Sequence, residues 1–426
     1  MHIHNLTLQR FRGAQDLPLD LDDKLNVFVG MNGAGKSSIL DASAIMLSWL
    51  ANRIKHAGAS GRPISETDIK NGESSANLTI QLCEDGSYFG WSLAKVRKGY
   101  SKKELASVLI PSSEAAKRIQ TDITEHEGKT NIPLFAYYPV NRAVLDIPLR
   151  IREKHQFGLM SAYEESLTSG ANFRTFFEWF REREDLENEN RKYKDDLLKP
   201  NDFQFPDPQL IAVRRALESF MPDFTGLTVR RNPLRMEVLK NGQRLTVNQL
   251  SDGEKCLMAM VGDLARRIAI ANPQRKDPLL GDGIVMIDEI DLHLHPKWQR
   301  LVVPKLTEVF PNCQFVISTH SPHVITHVQP ENLLLLNMTD DGKLEAIRPV
   351  ESYGKTVDRV LEDLMGLQTT RPNRVETDLR AIYEQISEGE LDTARESISA
   401  LEQVIGEDPE LVKAKVLIKR KELIGK

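Results

Sequence analysis

The feature that most constrains this fold is the glycine-rich octapeptide Gly30-Met-Asn-Gly-Ala-Gly-Lys-Ser37. It matches the pattern G-x-x-x-x-G-K-[ST], whose glycines let backbone N–H groups wrap a phosphate chain. A short, β-branched apolar run at residues 25–29 precedes it, and residues 38–50 follow with helical spacing. A strand, a phosphate-binding loop and a helix in this order predict an α/β fold built around a nucleotide site.

The same loop predicts which residues hold ATP and Mg²⁺. Lys36 would reach the β and γ phosphates, and the Ser37 hydroxyl would hold Mg²⁺. An ordinary glycine-rich turn is the alternative, and the flanking strand and helix make it the weaker one. The expected nucleotide contacts are Gly30, Asn32, Gly33, Ala34, Gly35, Lys36, Ser37 and Ser38.

A second motif is the pair of acids that ends the apolar run at residues 283–287. Packing alone does not explain a buried strand that runs into two carboxylates. In P-loop ATPases the first acid supports Mg²⁺ and the second orients the attacking water. Asp288 is therefore a predicted metal residue together with Ser37, and Glu289 is a predicted general base. A solvated acidic turn is the alternative.

Two weaker motifs lie on either side of the acid pair along the chain. Ser251 and Gly253 precede a long apolar helical stretch, which indicates either an anion site or an ordinary helix N-cap. His320 follows the end of another apolar strand, where an imidazole can contact the γ-phosphate or the attacking water. A single histidine is usually structural, but its order after the acid pair favours a catalytic role.

Composition limits the classes of protein that remain. The 426 residues suggest about two to three domains, and 40% apolar with 27% charged residues is typical of soluble globular proteins. No apolar run approaches the ~20 residues of a membrane span, and the N-terminus has no apolar signal core. Three separated cysteines exclude a disulfide scaffold and fit a reducing compartment. We therefore expect a cytoplasmic protein without a membrane partner.

Net charge bears on nucleic-acid binding. The chain carries a formal net charge of −5 and has a pI of about 6.1. A compact DNA-binding domain is usually basic, so any contact with nucleic acid requires a local patch.

Along the chain we predict four regions. Residues 1–156 form a lobe with strands near 3–9, 77–83, 87–96 and 134–138, and residues 16–24 form a turn-rich hairpin segment. Residues 157–225 form a helical insertion that is too short for a coiled-coil arm. Residues 226–350 form a second lobe that opens with a hairpin turning at Asn241-Gly242. Residues 351–426 form a helical C-terminal region.

The four motifs, in this order, resemble the heads of ABC-type ATPases of the RecF, SMC and OLD-like branch, over residues 1–150 and 226–350. The resemblance implies an ABC-type P-loop ATPase head with a helical insertion and an α-helical C-terminal extension. It also implies that Ser251 and Gly253 belong to a signature motif that completes the ATP site of a second subunit. A homodimer or a higher even-numbered oligomer is therefore expected.

Residues 291–296 resemble the D-loop that crosses the dimer interface of these ATPases. His293 and His295 within it could be mistaken for a zinc pair, but no third ligand is evident. The sequence departs from the family at two places. Asp252 stands where transporter signatures have glycine, and no glutamine follows the strand at 134–138, where Asn141 and Arg142 occur instead.

Residues 137–142, 354–366 and 418–426 resemble the PtuA family, the ATPase subunits of Septu antiphage systems. This resemblance implies a defence ATPase that controls a small HNH nuclease, PtuB-like, docked on the C-terminal region. Nucleic acid would then be contacted through the complex. A RecF-like repair ATPase and a PARIS-like scaffold holding a Toprim toxin are the alternatives. A self-contained OLD nuclease is disfavoured because residues 351–426 are too few for a Toprim domain.

The C-terminal helices are the predicted docking region. Apolar residues recur there at helical spacing, at Leu379, Ile382, Ile386, Leu391, Ala394, Ile398, Leu401 and Ile405. A basic end follows, with Lys413, Lys415, Lys419, Arg420, Lys421 and Lys426. A helical hairpin that caps the ATPase body and a DNA-contacting tail are the alternatives to partner docking.

Overall fold

The computed structural model describes residues 1–100, 106–140, 157–168, 171–196, 198–199, 203–339 and 341–424. Asn141 and Arg142, which replace the expected glutamine, lie outside these residues. The chain divides into two compact units. We call Met1–Lys355 the body and Thr356–Lys426 the C-terminal unit.

The body alternates strands and helices. Its strands are β1 His2–Phe11, β2 Ala14–Asp20, β3 Leu25–Gly30, β4 Ser75–Glu84, β5 Ser87–Val96, β6 Leu134–Tyr138, β7 Phe224–Arg231, β8 Leu234–Lys240, β9 Gln243–Thr246, β10 Gly283–Ile287, β11 Cys313–Ser318, β12 Leu333–Met338 and β13 Leu344–Ile347. Its helices are α1 Lys36–Lys55, α2 Ile110–Glu125, α3 Phe173–Arg191, α4 Pro208–Phe220, α5 Asp252–Ala271, α6 Pro296–Val309 and α7 Pro322–Ile325.

The central sheet has the strand order β13-β12-β3-β11-β10-β6. Its neighbouring strands are parallel except for β13, which pairs antiparallel with β12. Strand β11 therefore lies between β3, which leads into the glycine-rich loop, and β10, which leads into the acid pair. Because parallel strands end at one edge of a sheet, the predicted chemical motifs meet there. The α/β prediction is confirmed.

The body contains a second sheet of four strands, with the order β2-β1-β4-β5. The strands predicted near 3–9, 77–83 and 87–96 are confirmed. The hairpin expected at residues 16–24 is present, but its turn-rich character is wrong for residues 16–20, which lie in β2 and pair with β1 through Leu19 opposite Leu6 and Leu17 opposite Leu8. Leu17 and Leu19 are buried, whereas Asp16, Pro18 and Asp20 are exposed, and this alternation is typical of a half-buried strand.

Helices α3 and α4 occupy the predicted insertion and share a core with α5. Five aromatic residues on α3 are fully buried: Phe173, Phe176, Phe177, Trp179 and Phe180. A Cβ atom at Gly262 on α5 would lie 2.9 Å from the ring of Phe176, so this glycine permits the close approach of α3. The third sheet, β7-β8-β9, follows α4, and its predicted turn is confirmed, since Asn241 and Gly242 both have positive φ.

A buried charge cluster ties α5 to the central sheet. Asp263 accepts hydrogen bonds from Arg266 and Arg267, each at 2.7 Å, and from the Tyr138 hydroxyl at 3.0 Å. Arg267 also donates to the carbonyls of Ala162 and Glu164. Buried charges are tolerated when they are paired in this way. The cluster therefore fixes α5 against the end of β6.

The C-terminal unit is built from helices α8 Val357–Asp363, α9 Asn373–Glu388, α10 Leu391–Ile405 and α11 Pro409–Ile424. Its core is apolar and consists of Leu379, Ile382, Ile386, Ala394, Ile398, Leu401, Leu411, Ala414 and Ile418. Among the described residues, no helix of the protein is long and apolar enough to cross a membrane.

Most of the described basic side chains at the end of the chain form hydrogen bonds or ion pairs within this unit. Lys421 donates to the carbonyls of Ile386 and Ser387 at the end of α9, where a cation is favoured. Lys415 pairs with Glu402, and Lys413 with Glu410. Within the described part of the chain, Lys419 and Arg420 are the members of the set that form no ion pair or hydrogen bond.

Candidate nucleotide-binding site

The glycine-rich loop joins β3 to α1 in a conformation that requires its glycines. Gly33 and Gly35 have φ of 83° and 88°, in the left-handed region that favours glycine. A Cβ atom at Gly30 would lie 2.7 Å from the carbonyl oxygen of Leu336 on the neighbouring strand. The loop therefore turns sharply at the end of β3, and its N–H groups lie beside the N-terminus of α1.

Lys36 is the first residue of α1 and is buried. Its Nζ donates hydrogen bonds to the carbonyls of Gly30 at 2.8 Å and Met31 at 3.0 Å. Burial lowers the pKa of Lys36, and the nearby carboxylates of Asp288, Glu289 and Asp291 partly offset this effect. The ammonium group is thus held between the loop and the acidic end of β10.

The acid pair is positioned by a serine on the adjacent strand. Asp288 is buried and accepts a hydrogen bond of 2.5 Å from the Ser318 hydroxyl. The Glu289 N–H donates to the same hydroxyl oxygen at 2.8 Å. Glu289 has a φ of 46°, a left-handed conformation that is costly for a residue with a side chain and is concentrated at functional sites. Sequence analysis missed Ser318, although a polar residue at the end of an apolar strand was the available signal.

An open cleft of about 380 Å³ lies over the loop. It is lined by Asn32, Gly33, Gly35, Lys36, Ser37, Ser38, Glu289 and His320. Lys36 is one of the lining residues and donates to the Gly30 carbonyl. The structure therefore brings together most of the predicted nucleotide residues with all three predicted catalytic side chains, Lys36, Glu289 and His320. Ser251 and Gly253 are absent from the described lining of the cleft.

The oxygen donors at the cleft fit a magnesium ion. The Ser37 hydroxyl and the Asp288 carboxylate are hard oxygen ligands, and Mg²⁺ is usually held by one or two protein groups plus phosphate oxygens and water. In the part of the chain that the structure describes, no three His, Cys, Asp or Glu side chains form a metal cluster. A divalent ion here would therefore rely on the nucleotide for most of its ligands.

His320 lies on a loop that the predicted D-loop holds in place. Asp291 accepts hydrogen bonds from the Thr319 hydroxyl at 2.5 Å and from the His320 N–H at 3.3 Å. Burial lowers the pKa of His320, and the charge of Lys36 lowers it further, against the raising effect of the nearby carboxylates. The imidazole is therefore neutral at pH 7.

The predicted signature motif starts α5 as a capping box. Ser251 Oγ accepts from the Glu254 N–H at 3.4 Å, and Glu254 accepts from the Ser251 N–H at 2.9 Å. Lys240 pairs with Glu254 at 2.5 Å. An N-cap is thus present, as the alternative interpretation required. It does not exclude an anion site, because other N–H groups of the first turn remain available.

Gly253 links this motif to the predicted D-loop of the same chain. A Cβ atom at Gly253 would lie 2.3 Å from the carbonyl oxygen of His293, so no larger residue fits without moving that loop. His293 itself has a φ of 63°. His295 acts as the N-cap of α6, where its Nδ1 accepts from the Lys297 N–H. His293 therefore contacts α5 through its backbone carbonyl, and His295 caps α6 through its side chain.

A network of ion pairs connects α1 to two loops of the body. The sequence did not predict it. Asp41, in the second turn of α1, accepts from Arg12 and from Arg62. Arg12 also pairs with Asp68 at 2.9 Å. Burial raises the pKa of Tyr137, and the charges of Asp288 and Asp41 raise it further. The hydroxyl is therefore neutral between the acid pair and this network.

Fold and cleft together define a P-loop ATPase. Two family models match the chain. One is described as an AAA domain, putative AbiEii toxin, Type IV TA system, over residues 114–326, and the other as an AAA domain over residues 5–202.

Three relatives extend this comparison. The chain is 31% identical to the retron Ec83 probable ATPase of Escherichia coli, over 99% of this chain and 87% of that protein. It is 32% identical to the retron Vc95 probable ATPase of Vibrio cholerae, over 85% and 78%. It is 22% identical to the Septu protein PtuA of Bacillus thuringiensis, over 87% and 85%. The chain therefore belongs to the family of these retron ATPases, and its resemblance to PtuA is confirmed.

Proposed function

We propose that this protein is the ATPase of a bacterial antiphage defence system, in which two copies close around ATP and control an associated nuclease. One observation carries the proposal. The cleft contains the phosphate loop, Glu289 and His320, but the described residues that line it do not include Ser251 or Gly253. A complete site then needs the signature motif of a second copy.

Within such a site each side chain has a distinct task. Lys36 binds the β and γ phosphates. Ser37 and Asp288 would hold Mg²⁺, which would neutralise phosphate charge. Glu289 accepts a proton from the attacking water and orients it. The neutral imidazole of His320 hydrogen-bonds to the γ-phosphate or to that water. The capped N-terminus of α5, presented by the partner copy, faces the γ-phosphate with its positive dipole end.

Mixing two inactive variants tests the shared site. Lys36→Ala removes the phosphate contact, and Ser251→Arg blocks the signature motif. A heterodimer of the two retains one intact composite site, so ATPase activity should reappear in the mixture. Mass photometry of differently tagged subunits verifies that mixed dimers form. Mixed dimers without activity would contradict a site built from two independent halves.

Control of a nuclease is what the resemblance to the PtuA family implies, and the similarity to PtuA itself motivates this part of the proposal. For docking we propose the exposed face of α11 that carries Val412, Val416 and Leu423, at intervals that place them on one side of the helix. Lys419 and Arg420 lie among them. This face is apolar with a basic component, and it is separate from the apolar core of the unit.

Co-purification tests this docking face. Val412→Asp/Val416→Asp should abolish co-purification with a co-expressed PtuB-like HNH nuclease, while ATP binding persists. Val404→Asp, at an exposed valine on α10, is the matched control and should retain the nuclease. Deletion of residues 356–426 should give the same loss. Retention of the nuclease by the double variant would place docking elsewhere, with residues 157–225 as the next region to test.

A further inference from the structure

The outer face of the three-stranded sheet carries three arginines around one carboxylate. Arg230 Nε donates to Glu237 at 3.2 Å, Arg235 Nε at 2.7 Å, and Arg244 Nη1 at 3.1 Å. Each arginine comes from a different strand of β7-β8-β9. The hydrogen bonds from Arg244, Arg235 and Arg230 lower the pKa of Glu237, although its burial acts in the opposite direction. We call these three residues and Glu237 the arginine face.

The register of the sheet puts this group on one side. Arg230 pairs with Arg235, and Leu239 pairs with Arg244, so all three arginines and Glu237 share a face. On the opposite side, Met236 and Val238 are buried in the body. The other two basic residues of these strands point to that side and are neutralised there, Arg231 by Glu184 and Asp185, and Lys240 by Glu254.

The arginine face therefore has an excess of two positive charges. Glu237 is the only acidic residue between positions 224 and 246, and it must serve three guanidinium groups. Arg230 contacts it through Nε alone and Arg244 through one terminal nitrogen, so both keep N–H donors that Glu237 does not engage. Their side chains are 54% and 55% exposed. A patch of this kind is unexpected in a chain whose net charge is −5.

We propose that the arginine face binds the phosphate backbone of a nucleic acid. Arginine is the side chain whose planar fork matches phosphate oxygens, and the fixed contacts to Glu237 hold the guanidinium groups in advance. Arg230 and Arg244 donate to the same carboxylate oxygen of Glu237, at 3.2 and 3.1 Å, so their guanidinium groups lie close together. This arrangement suits one or two neighbouring phosphates of a nucleic-acid strand.

The composition of the face argues against a protein partner. Protein interfaces centre on exposed aromatic or large apolar side chains. Among the described residues with a large exposed apolar side chain, none lies between positions 224 and 246. Thr228, which lies opposite Glu237 on β7, adds a hydroxyl group that suits a phosphate oxygen.

Fluorescence anisotropy of the full-length protein in the absence of nucleotide tests the proposal. The probes are a labelled 30-nucleotide oligo(dT) and a labelled 30-base-pair duplex. Arg230→Gln/Arg244→Gln removes two charges but leaves Glu237 paired with Arg235. We expect at least a tenfold loss of affinity at low salt. The slope of log K against log salt should decrease by about 1.4 for the single strand or 1.8 for the duplex, since each phosphate contributes about 0.7 or 0.9. The probe that changes more identifies the form of nucleic acid that is bound.

Two controls make the result decisive. Arg118→Gln/Arg395→Gln removes two charges at exposed ion pairs elsewhere and should bind as the wild type does. Arg230→Lys/Arg244→Lys keeps the charge and should retain most of the salt slope. Unchanged ATP binding verifies that Arg230→Gln/Arg244→Gln is folded. If the double variant does not fold, Arg244→Gln alone takes its place, and the expected change in the salt slope is then half as large. Absence of binding by the wild type, or an equal loss in the Arg118 control, would overturn the proposal.

Discussion

The body and the C-terminal unit are held together by different kinds of interaction. The body buries charged side chains, including Lys36, Asp263 and Asp288, and each of these is engaged by neighbouring groups. The core of the C-terminal unit is entirely apolar. Buried charges cost free energy unless they are paired, and they are concentrated where a protein needs chemistry. The comparison assigns catalysis to the body. The C-terminal unit has no buried charged groups suited to chemistry among its described residues, so we expect it to serve as a structural unit that contacts a partner.

The two regions should therefore respond differently to substitution. In the body, replacing a polar residue at the cleft should change chemistry without changing stability. In the C-terminal unit, replacing a core residue should change stability without changing chemistry. Three experiments test this contrast, and their expected effects decrease from the first to the last.

Glu289→Gln should have the largest effect. It keeps the shape of the side chain but removes the base, so ATP hydrolysis should fall by about 10²–10⁴-fold while ATP is still bound. Single-turnover hydrolysis and nucleotide titration measure the two properties. Glu308→Gln, at an exposed glutamate on α6, is the control and should hydrolyse ATP normally. Normal hydrolysis by Glu289→Gln would mean that the acid pair of the body does not supply the base.

Ile382→Ala should destabilise the C-terminal unit by about 2–5 kcal/mol, because it removes a fully buried side chain from a small core. Hydrogen exchange should increase in residues 373–424, and ATP affinity should not change. Val404→Ala, at an exposed position on α10, should alter stability by less than about 0.5 kcal/mol. A parallel loss of ATP affinity in Ile382→Ala would show that the two regions are not independent.

His320→Gln should have the smallest effect, a loss of hydrolysis of several-fold. Because the pKa of His320 lies below its ordinary 6.5, the imidazole is neutral at pH 7–8 and becomes protonated only as the pH falls below 6.5. Wild-type hydrolysis should therefore be level between pH 8 and 7 and decline at acidic pH. The variant should lack the part of that decline due to His320, whereas His126→Gln, at an exposed histidine, should retain it. An identical profile in His320→Gln would exclude this residue from the chemistry.

The sequence by itself determined the nucleotide loop, the acid pair and the α/β class. These depend on residues that are adjacent along the chain: a β-branched run before the glycines, helical spacing after them, and an apolar strand before Asp288 and Glu289. Local patterns of this kind follow from the geometry of single strands and helices. Strand β2 is the exception. Its two alternating leucines stand among aspartates and a proline, which are typical of turns, so the pattern predicted a turn-rich segment.

Tertiary structure decided the contacts that give these motifs their geometry. Ser318 joins Asp288 and Glu289 only because β11 lies beside β10, and Gly253 approaches His293 only because the start of α5 meets the loop that follows β10. The arginine face likewise depends on the register of three strands, which puts Arg230, Arg235 and Arg244 around one carboxylate and turns Arg231 away. The spacing of residues along one segment does not specify which segments become neighbours, because that choice depends on how the whole core packs.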